Sequence, residues 1–476
     1  MNCRRDRSRR LRQGLLCAAL VVGGCGSHED PLDLSVAVDT TVPHQTLVGF
    51  GAAVAYQPFL LAGQNDDIYQ VLFVDSGLDI LRIANWYQNQ DRTNATLTTP
   101  FSDRAQVQIV QKATAARGGT PPKILMSSWT PPAYLKSNGM TRPAYGSAST
   151  ASAVGTLLQN GGAYAYSDFA DWWVRSLQAY AAQGVTPDYI SIQNEPDYFN
   201  SGWETCVFGA TEGARTEGIP AAGYGQALDA VHGAVQASDL AAPPTILGPE
   251  TTGFGDGIVQ RYLAGMNLAQ VGGIAHHMYG ATADNPNPDS FSGAMRAVAS
   301  SVASTALPGF MTEYSPNAPT MFETAWLMSN ALTVENASAY IYWELTWNDA
   351  TPQTGLVSIS SPSPGSPYTI NDTYYALEHF ARWTDPGWVR VDATSTGSSL
   401  RASAFVSPDG ASLTLVLLNT DARDHFVTVS PGAFAFGTLT VHRTSGDSER
   451  AAVVALESDG SLSLPSRSIA TLTYTP

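Results

Sequence analysis

The sequence predicts an α/β fold, a (β/α)8 TIM barrel with an attached all-β side domain of the β-sandwich type. Two observations predict it. From about residue 46 to residue 381, short apolar segments alternate with longer segments of helical periodicity, as in a parallel sheet that helices cover on both faces. From residue 382 to residue 476 the pattern changes to short strands separated by turn residues, which is typical of an all-β module.

Eight apolar segments are the predicted barrel strands, and each lacks polar alternation, as strands buried on both faces should. They are Leu47–Ala52, Ile80–Ile83, Lys123–Ser127, Tyr189–Gln193, Thr245–Leu247, Ile274–His277, Gly309–Thr312 and Ala339–Trp343. The clearest helix between them is Asp168–Gln183, with Ser167 as its predicted N-cap and Gly184 as its predicted end. Eight such units in succession indicate a closed barrel.

The side domain, residues 382–476, is predicted from six short segments rich in β-branched and aromatic residues. They are Val389–Val391, Ala402–Val406, Leu413–Asn419, His425–Val429, Leu439–His442 and Ile469–Tyr474. The N-terminal segment 25–45 contains the alternating run Leu34–Val38. We expect this run to add a strand to the same module, which would tie both ends of the chain together.

Residues 1–24 are predicted to be a lipoprotein signal peptide rather than part of the fold. An arginine-rich start precedes the apolar run Leu15–Val22, which is too short to span a bilayer. Val22-Gly23-Gly24-Cys25 is similar to a bacterial lipobox, so Cys25 is the predicted lipidation site; an ordinary signal peptide cleaved nearby is the alternative. We therefore expect an exported protein, held at a membrane only through a lipid anchor or secreted.

Charge and cysteine content limit the classes of partner. The formal net charge is −16 and becomes more negative without the arginine-rich leader, which argues against nucleic acid and strongly anionic substrates. Outside the export segment Cys206 is the sole cysteine, so neither a disulfide framework nor a thiolate metal cluster is expected. Cys206 is predicted to be an inert packed thiol. We expect no cofactor, no metal and a monomer.

Two glutamates carry the predicted chemistry. Glu195 follows the fourth strand, because Pro196 lacks the N–H that a central strand needs, and Glu313 ends the seventh. Active sites of these barrels lie at the C-terminal ends of the strands. A pair of carboxylates at that position is typical of enzymes that hydrolyse glycosidic bonds. Glu250 also ends a strand and is the rival, with a supporting or hydroxyl-binding role preferred for it.

Aromatic and amide side chains at the same strand ends suit a sugar, because rings stack on its C–H face and amides bind its hydroxyls. The predicted substrate-binding residues are Trp86, Trp129, Asn194, Tyr279 and Trp343. Filling of the barrel interior is the alternative for Trp343. Trp203 is left open between a cleft aromatic and a packing residue. His276 and His277 are adjacent on a strand and point to opposite faces, so they are not expected to share a metal.

These motifs make the chain similar to glycoside hydrolase family 30 of clan A, from about residue 32 to the C-terminus. Asn194-Glu195-Pro196 and Thr312-Glu313-Tyr314 resemble the clan's acid/base and nucleophile motifs. Further matching segments are Gly49–Ala52, Ser127–Lys136, His276–Gly280 and Tyr374–Phe380. Within the family, Trp203–Cys206 and Pro386–Val391 resemble the bacterial xylanase branch most.

The resemblance implies a retaining mechanism, with Glu195 as acid/base and Glu313 as nucleophile, and carboxyl groups about 5–5.5 Å apart. It also implies that Asn194 binds the sugar 2-hydroxyl, that Tyr279 lies near Glu313, and that Trp129 and Trp343 form walls of the subsite for the sugar being cleaved.

The predicted function is an endo-β-1,4-xylanase. The alternatives are a β-glucosidase or β-1,6-glucanase of the same family, and a non-catalytic glycan-binding surface lipoprotein. In the bacterial xylanase branch an Arg after strand eight binds the glucuronic acid side group. The corresponding segment Trp343–Asp349 holds two acids and no base, and no Lys or Arg occurs between Arg296 and Arg382. We therefore predict independence of glucuronic acid branches, with Lys136 as the alternative source of a cation.

Overall fold

The computed structural model describes residues 31–88, 104–142, 151–199, 202–216, 219–280, 287–316, 320–348, 354–446 and 448–476. Within them, eight parallel strands close into a barrel, and a nine-stranded sheet forms a separate all-β domain. The predicted fold class, a TIM barrel with an attached β-sandwich domain, is confirmed. The predicted leader and Cys25 lie outside the described residues.

The barrel strands pair in sequence order, and the eighth strand closes the ring against the first. They are β1 Gly49–Ala53, β2 Ile80–Ala84, β3 Lys123–Ser127, β4 Tyr189–Ser191, β5 Thr245–Thr251, β6 Gly273–His277, β7 Gly309–Glu313 and β8 Ala337–Tyr342. Nearly all of their residues are buried, which explains their unbroken apolar sequences. Side chains such as Leu125, Phe310 and Ile341 fill the interior, and those of the opposite face pack beneath the helices.

Helices and short elements fill the connections between barrel strands. The α-helices are Pro58–Ala62, Asp66–Gln70, Arg104–Ala116, Ala151–Val154, Tyr166–Ala181, Tyr224–Ala237, Ile258–Leu263, Ser292–Thr305, Met321–Asn330 and Asp372–Ala381. Val71–Asp75 and Ala331–Glu335 are π-helical, and Ala133–Leu135, Leu268–Gln270, Pro288–Phe291 and Gly432–Phe436 are 3-10 turns. Short strands outside the two sheets are Gln159–Asn160, Ala163–Tyr164, Phe208–Gly209, Arg215–Thr216, Ile219–Pro220, Ala222–Gly223, Thr346–Trp347, Val357–Ile359 and Tyr368–Ile370. Among the described residues, no helix has both the length and the apolar character needed to cross a bilayer.

The helix Tyr166–Ala181 corrects one prediction and confirms another. It begins two residues before the predicted start, so Ser167 lies in its first turn, and Ala165 occupies the N-cap position without a side-chain cap. Its C-terminal end matches the prediction. Gly184 adopts a φ of 79°, and the amides of Gly184 and Val185 donate to the carbonyls of Ala181 and Tyr180, which satisfies the last helical acceptors.

The all-β domain contains eight C-terminal strands and the N-terminal strand Leu32–Thr46. The former are β9 Val389–Ser395, β10 Leu400–Val406, β11 Leu413–Asn419, β12 His425–Ser430, β13 Thr438–Ser445, β14 Glu449–Val454, β15 Leu462–Leu464 and β16 Ile469–Thr475. The N-terminal strand lies between β9 and β12, antiparallel to the first and parallel to the second. The sequence missed β14 and β15, because one is a half-buried edge strand and the other spans three residues.

The two domains share a packed junction built on the helix Asp372–Ala381. Its Phe380 ring contacts Phe50 of β1 at 6.2 Å. His379, on the same helix, hydrogen-bonds through both ring nitrogens, at 2.8 Å each, to Thr471 and Thr444 of the sheet. Phe405, Val416 and Leu418 of the sheet belong to the same buried cluster as the barrel helices. The side domain therefore covers apolar surface of the barrel.

Candidate active site

A cavity of about 680 Å³ opens at the C-terminal ends of the barrel strands, within the size range of small-molecule sites. It is lined by Tyr56, Trp129, Asn194, Glu195, Tyr198, Trp203, Thr252, Tyr279, Gly280, Glu313, Ser315, Pro316, Trp343, Trp347 and Thr354. The two predicted catalytic glutamates thus meet in one cavity with four of the five predicted substrate-binding residues.

Glu195 is held by backbone and side-chain contacts just beyond β4. The chain leaves the sheet at Ser191, and Glu195 adopts a left-handed φ of 48°. Its amide donates to the Glu250 carbonyl at 3.0 Å, and its Oε1 lies 3.0 Å from His277 Nδ1. Burial raises the pKa of Glu195 to about 7, although the hydrogen bond from His277 opposes that rise. A carboxyl group with this pKa can deliver a proton near neutral pH.

Glu313 ends β7 in a different electrostatic environment. Arg82 Nη1 donates to its Oε2 at 2.6 Å, and the Tyr279 hydroxyl hydrogen-bonds to the same carboxylate. One carboxylate oxygen of Glu313 lies within 4.8 Å of one of Glu195. A cation and a hydroxyl donor therefore complement the negative charge of a carboxylate that acts as a nucleophile or a stabilising anion.

Arg82 is the central site residue that the sequence analysis missed. It lies on β2 with no solvent exposure, and its Nη2 donates to Asn194 Oδ1 at 2.6 Å and contacts Glu250 Oε1 at 3.2 Å. The contact fixes the orientation of the Asn194 amide and leaves Nδ2 available to donate to a sugar hydroxyl. The available signal was a lone Arg within the apolar run Ile80–Ala84, since a buried cation requires inward-facing acidic partners.

Glu250 lies beneath the cavity and does not line it. Its side chain has no solvent exposure and accepts from Ser127 Oγ at 3.1 Å as well as from Arg82. Burial would raise the pKa of Glu250, but Arg82 and then His277 outweigh it and hold that pKa at about 2. Without access to the cavity Glu250 cannot attack a sugar, so its geometry fits the supporting role.

Aromatic rings form one wall of the cavity. Trp129 and Trp343 lie 6.0 Å apart, and Tyr56 stands edge-on to both. Trp86 was predicted to bind substrate, but it is 2% exposed and absent from the cavity lining. Its indole N–H donates to the Ala55 carbonyl. It packs behind Tyr56 and Trp129 at 5.8 Å from each. Trp86 therefore supports the wall rather than contacting substrate.

The two histidines of β6 point to opposite faces, as the sequence predicts. His276 lies outside the barrel, against Phe254 and 2.7 Å from Glu335. His277 lies among the carboxylates, and although burial lowers its pKa, Glu313 and Glu195 raise it to about 9. Potential ligand atoms of Glu195, His277 and Glu313 lie within 4.8 Å of one another. Arg82 and a protonated His277 nevertheless place positive charge where a metal ion would bind.

None of the lining residues that the structure describes is Lys or Arg. Lys136, the alternative cation, is 2% exposed, and its ammonium donates to the carbonyls of Thr205 and Thr141. It therefore anchors two loops instead of facing the cavity. Asp349, in the segment after β8, lies outside the described residues.

Three aromatic residues on the cavity rim complete the lining. Tyr198 and Trp203 follow Glu195 in the same loop, and their rings stack at 6.1 Å. Trp347 lies in the short strand after β8. Trp203, left open by the sequence, lines the cavity with 38% of its surface exposed. Tyr56, Tyr198 and Trp347 lie on irregular connections, where residue type alone does not distinguish a lining ring from a packed one.

Comparison with known proteins identifies the family. Residues 387–472 match the family model described as the glycosyl hydrolase family 30 beta sandwich domain. The side domain therefore belongs to glycoside hydrolase family 30. The chain is 27% identical to endo-1,6-beta-D-glucanase neg1 of Aspergillus fumigatus over 443 residues, 82% of each chain. It is 24% identical to endo-1,6-beta-D-glucanase of Neurospora crassa over 445 residues, 84% of each chain.

A solved structure extends the match to the whole fold. The catalytic domain of GH30 xylanase C from Talaromyces cellulolyticus superimposes with a TM-score of 0.72 at 20% identity, covering 93% of this chain and 100% of that one. The family of the side domain and the shared fold both support a glycoside hydrolase that acts on a polysaccharide or oligosaccharide.

Proposed function

We propose that this glycoside hydrolase cleaves a neutral β-glycan with retention of anomeric configuration. The observation that carries the proposal is the pair Glu195 and Glu313, whose carboxylate oxygens approach within 4.8 Å in one cavity. Retaining enzymes hold their carboxyl groups about 5–5.5 Å apart, whereas inverting enzymes leave about 6.5–9.5 Å for a water molecule.

The two glutamates would act in sequence. Glu195, protonated through its raised pKa, donates to the departing glycosidic oxygen while the Glu313 carboxylate attacks the anomeric carbon. The glycosidic bond breaks and an ester bond to Glu313 forms. Glu195, now ionised and stabilised by its hydrogen bond from His277, removes a proton from water, and the resulting attack on the anomeric carbon releases Glu313.

The surrounding residues would position the sugar and the nucleophile. Arg82 donates to Glu313 and orients Asn194, whose Nδ2 donates to the 2-hydroxyl, where hydrogen bonds strengthen in the transition state. Trp129 and Trp343 offer ring faces to the sugar.

We place β-1,6-glucan first among the candidate substrates. Two endo-1,6-beta-D-glucanases align with this chain over more than four fifths of its length. The second candidate is β-1,4-xylan without dependence on glucuronic acid. It is supported by the segments Trp203–Cys206 and Pro386–Val391 and by the absence of Lys and Arg from the described lining.

The test is product analysis on four polymers: linear β-1,6-glucan, β-1,4-glucan, unbranched xylan and glucuronoxylan. Proton NMR of the first-formed product gives the anomer. The proposal expects a β-anomer from one neutral polymer. A first-formed α-anomer would overturn retention, and a rate on glucuronoxylan about a hundredfold above that on unbranched xylan would overturn independence of the uronate. Inactivity on all four polymers would contradict the substrate class.

We further propose export with a lipid anchor on Cys25, on the strength of the leader sequence alone. Mass spectrometry of the N-terminal peptide from a membrane fraction tests it. A diacylglyceryl-modified Cys25 is expected, and an unmodified N-terminus elsewhere would contradict the anchor.

A further inference from the structure

The leaving group of any substrate must lie on the Glu195 side of the cavity, because its oxygen must reach the acid that protonates it. The loop that follows Glu195 borders that side. Tyr198 is fixed to the acid itself, since its amide donates to the Glu195 carbonyl at 3.0 Å. Its ring lines the cavity.

Trp203 extends the surface that Tyr198 begins. The two rings stack at 6.1 Å with an interplanar angle of 27°. Trp203 nevertheless keeps 38% of its surface exposed. A large exposed ring that faces a ligand cavity is typical of a contact surface.

The chain around Trp203 is anchored. Glu204 is 2% exposed and accepts from the Tyr56 hydroxyl at 3.1 Å. The next carbonyl, that of Thr205, accepts from the buried ammonium of Lys136. Cys206 is fully buried, and burial raises the pKa of its thiol to about 11, which fits the predicted packed role. The buried contacts hold the neighbours of Trp203 in place while its ring stays at the cavity rim.

We propose that Tyr198 and Trp203 form the platform that binds the sugar ring of the leaving group, and that this platform makes the enzyme prefer chains over single glycosides. The proposal rests on the assignment of Glu195 as the acid. The platform would take an uncharged pyranose, since the described lining holds two carboxyl groups and lacks Lys and Arg, which disfavours a uronate.

The test compares two leaving groups on the same glycosyl unit. An oligosaccharide leaves as a sugar that can stack on Trp203, whereas a β-glycosyl fluoride leaves as fluoride, which cannot. Trp203→Ala should lower kcat/KM on the oligosaccharide about tenfold, equivalent to about 1.4 kcal/mol. It should leave the value for the fluoride within about twofold, and Trp203→Phe should recover most of the loss. Phe59→Ala, which removes another exposed ring that lies outside the cavity lining, is the matched control.

The results distinguish a failure of the platform proposal from a failure of the proposed function. An equal loss on both substrates, or no loss on either, would overturn the platform while the wild-type activity still supported the retaining hydrolase. Failure of the wild-type enzyme on both substrates would instead contradict the proposed function. The melting temperature of Trp203→Ala shows whether an equal loss of activity comes from unfolding. If it does, the Trp203→Phe variant decides. A larger loss on the oligosaccharide than on the fluoride would then support the platform, and equal losses would overturn it.

Discussion

Arg82→Met tests whether one buried guanidinium stabilises the buried carboxylates of the site. Methionine keeps an unbranched chain but removes the donors that reach Glu313 at 2.6 Å and Glu250 at 3.2 Å. Both carboxylates would then be buried without their principal cation. Breaking such a buried pair by removing one partner typically costs 3–5 kcal/mol.

The lowered pKa of Glu250 gives a second, independent value for the stability that its charged partners contribute. This pKa falls from 4.5 to about 2 in the folded protein, which corresponds to about 3 kcal/mol of stability at neutral pH. Because the folded pKa is the lower one, this contribution is complete well above pH 4.5 and disappears as the pH falls through 2. At about pH 3 less than half of it remains.

The assay is urea unfolding of wild type and variant, followed by far-UV circular dichroism at pH 7 and at about pH 3. We expect Arg82→Met to lose about 3 kcal/mol at pH 7 and clearly less at the lower pH. Arg450→Met, which breaks the more exposed pair with Asp372, should lose less than about 1 kcal/mol at either pH. A loss for Arg82→Met as small as that of the control, or one that does not shrink with pH, would refute the reasoning.

Three further predictions follow from the same structure. Glu195→Ala should keep the first step on substrates with good leaving groups, and added azide should then yield a β-glycosyl azide; an α-azide would show that the glutamates exchange roles. The basic limb of kcat/KM on glycans should lie near pH 7, where Glu195 loses its proton, and should vanish with a β-glycosyl fluoride; a limb on both substrates would assign it to another group. Truncation after Ala381 should give insoluble protein, because it exposes Phe380 and the packed junction; a soluble, active barrel would count against this.

The sequence predicts the barrel well because burial on both faces leaves a direct mark on composition. Strand ends are less predictable where backbone groups form hydrogen bonds with partners outside the sheet. The predicted strand Tyr189–Gln193 stops at Ser191, and the amide of Asn194 donates instead to the carbonyl of Ser128. The strand at Thr245 runs through Pro249 to Thr251, because pairing with β4 stops at Leu247 and no neighbour on that side needs the missing N–H.

Some residues of the candidate site were predictable from the sequence and others were not. Glu195, Glu313 and Asn194 were predictable because strand-end positions in a barrel converge on one place. Arg82 was missed because it lies within a strand, and its role depends on which polar side chains reach it from strands four, five and seven. Trp86 was misplaced because a ring just after a strand can either line the cavity or pack behind its wall, and only the fold decides between them.

The account depends most directly on Glu313 as the nucleophile of a retaining reaction. Incubation with an activated 2-deoxy-2-fluoro β-glycoside of the preferred sugar, followed by mass spectrometry of proteolytic peptides, measures where the sugar becomes attached. We predict one fluoroglycosyl unit per chain, on the peptide that contains Glu313, and none after Glu313→Ala. Attachment to Glu250 or Glu195 instead would contradict the assignment, and turnover with an α-configured first product would contradict the mechanism itself.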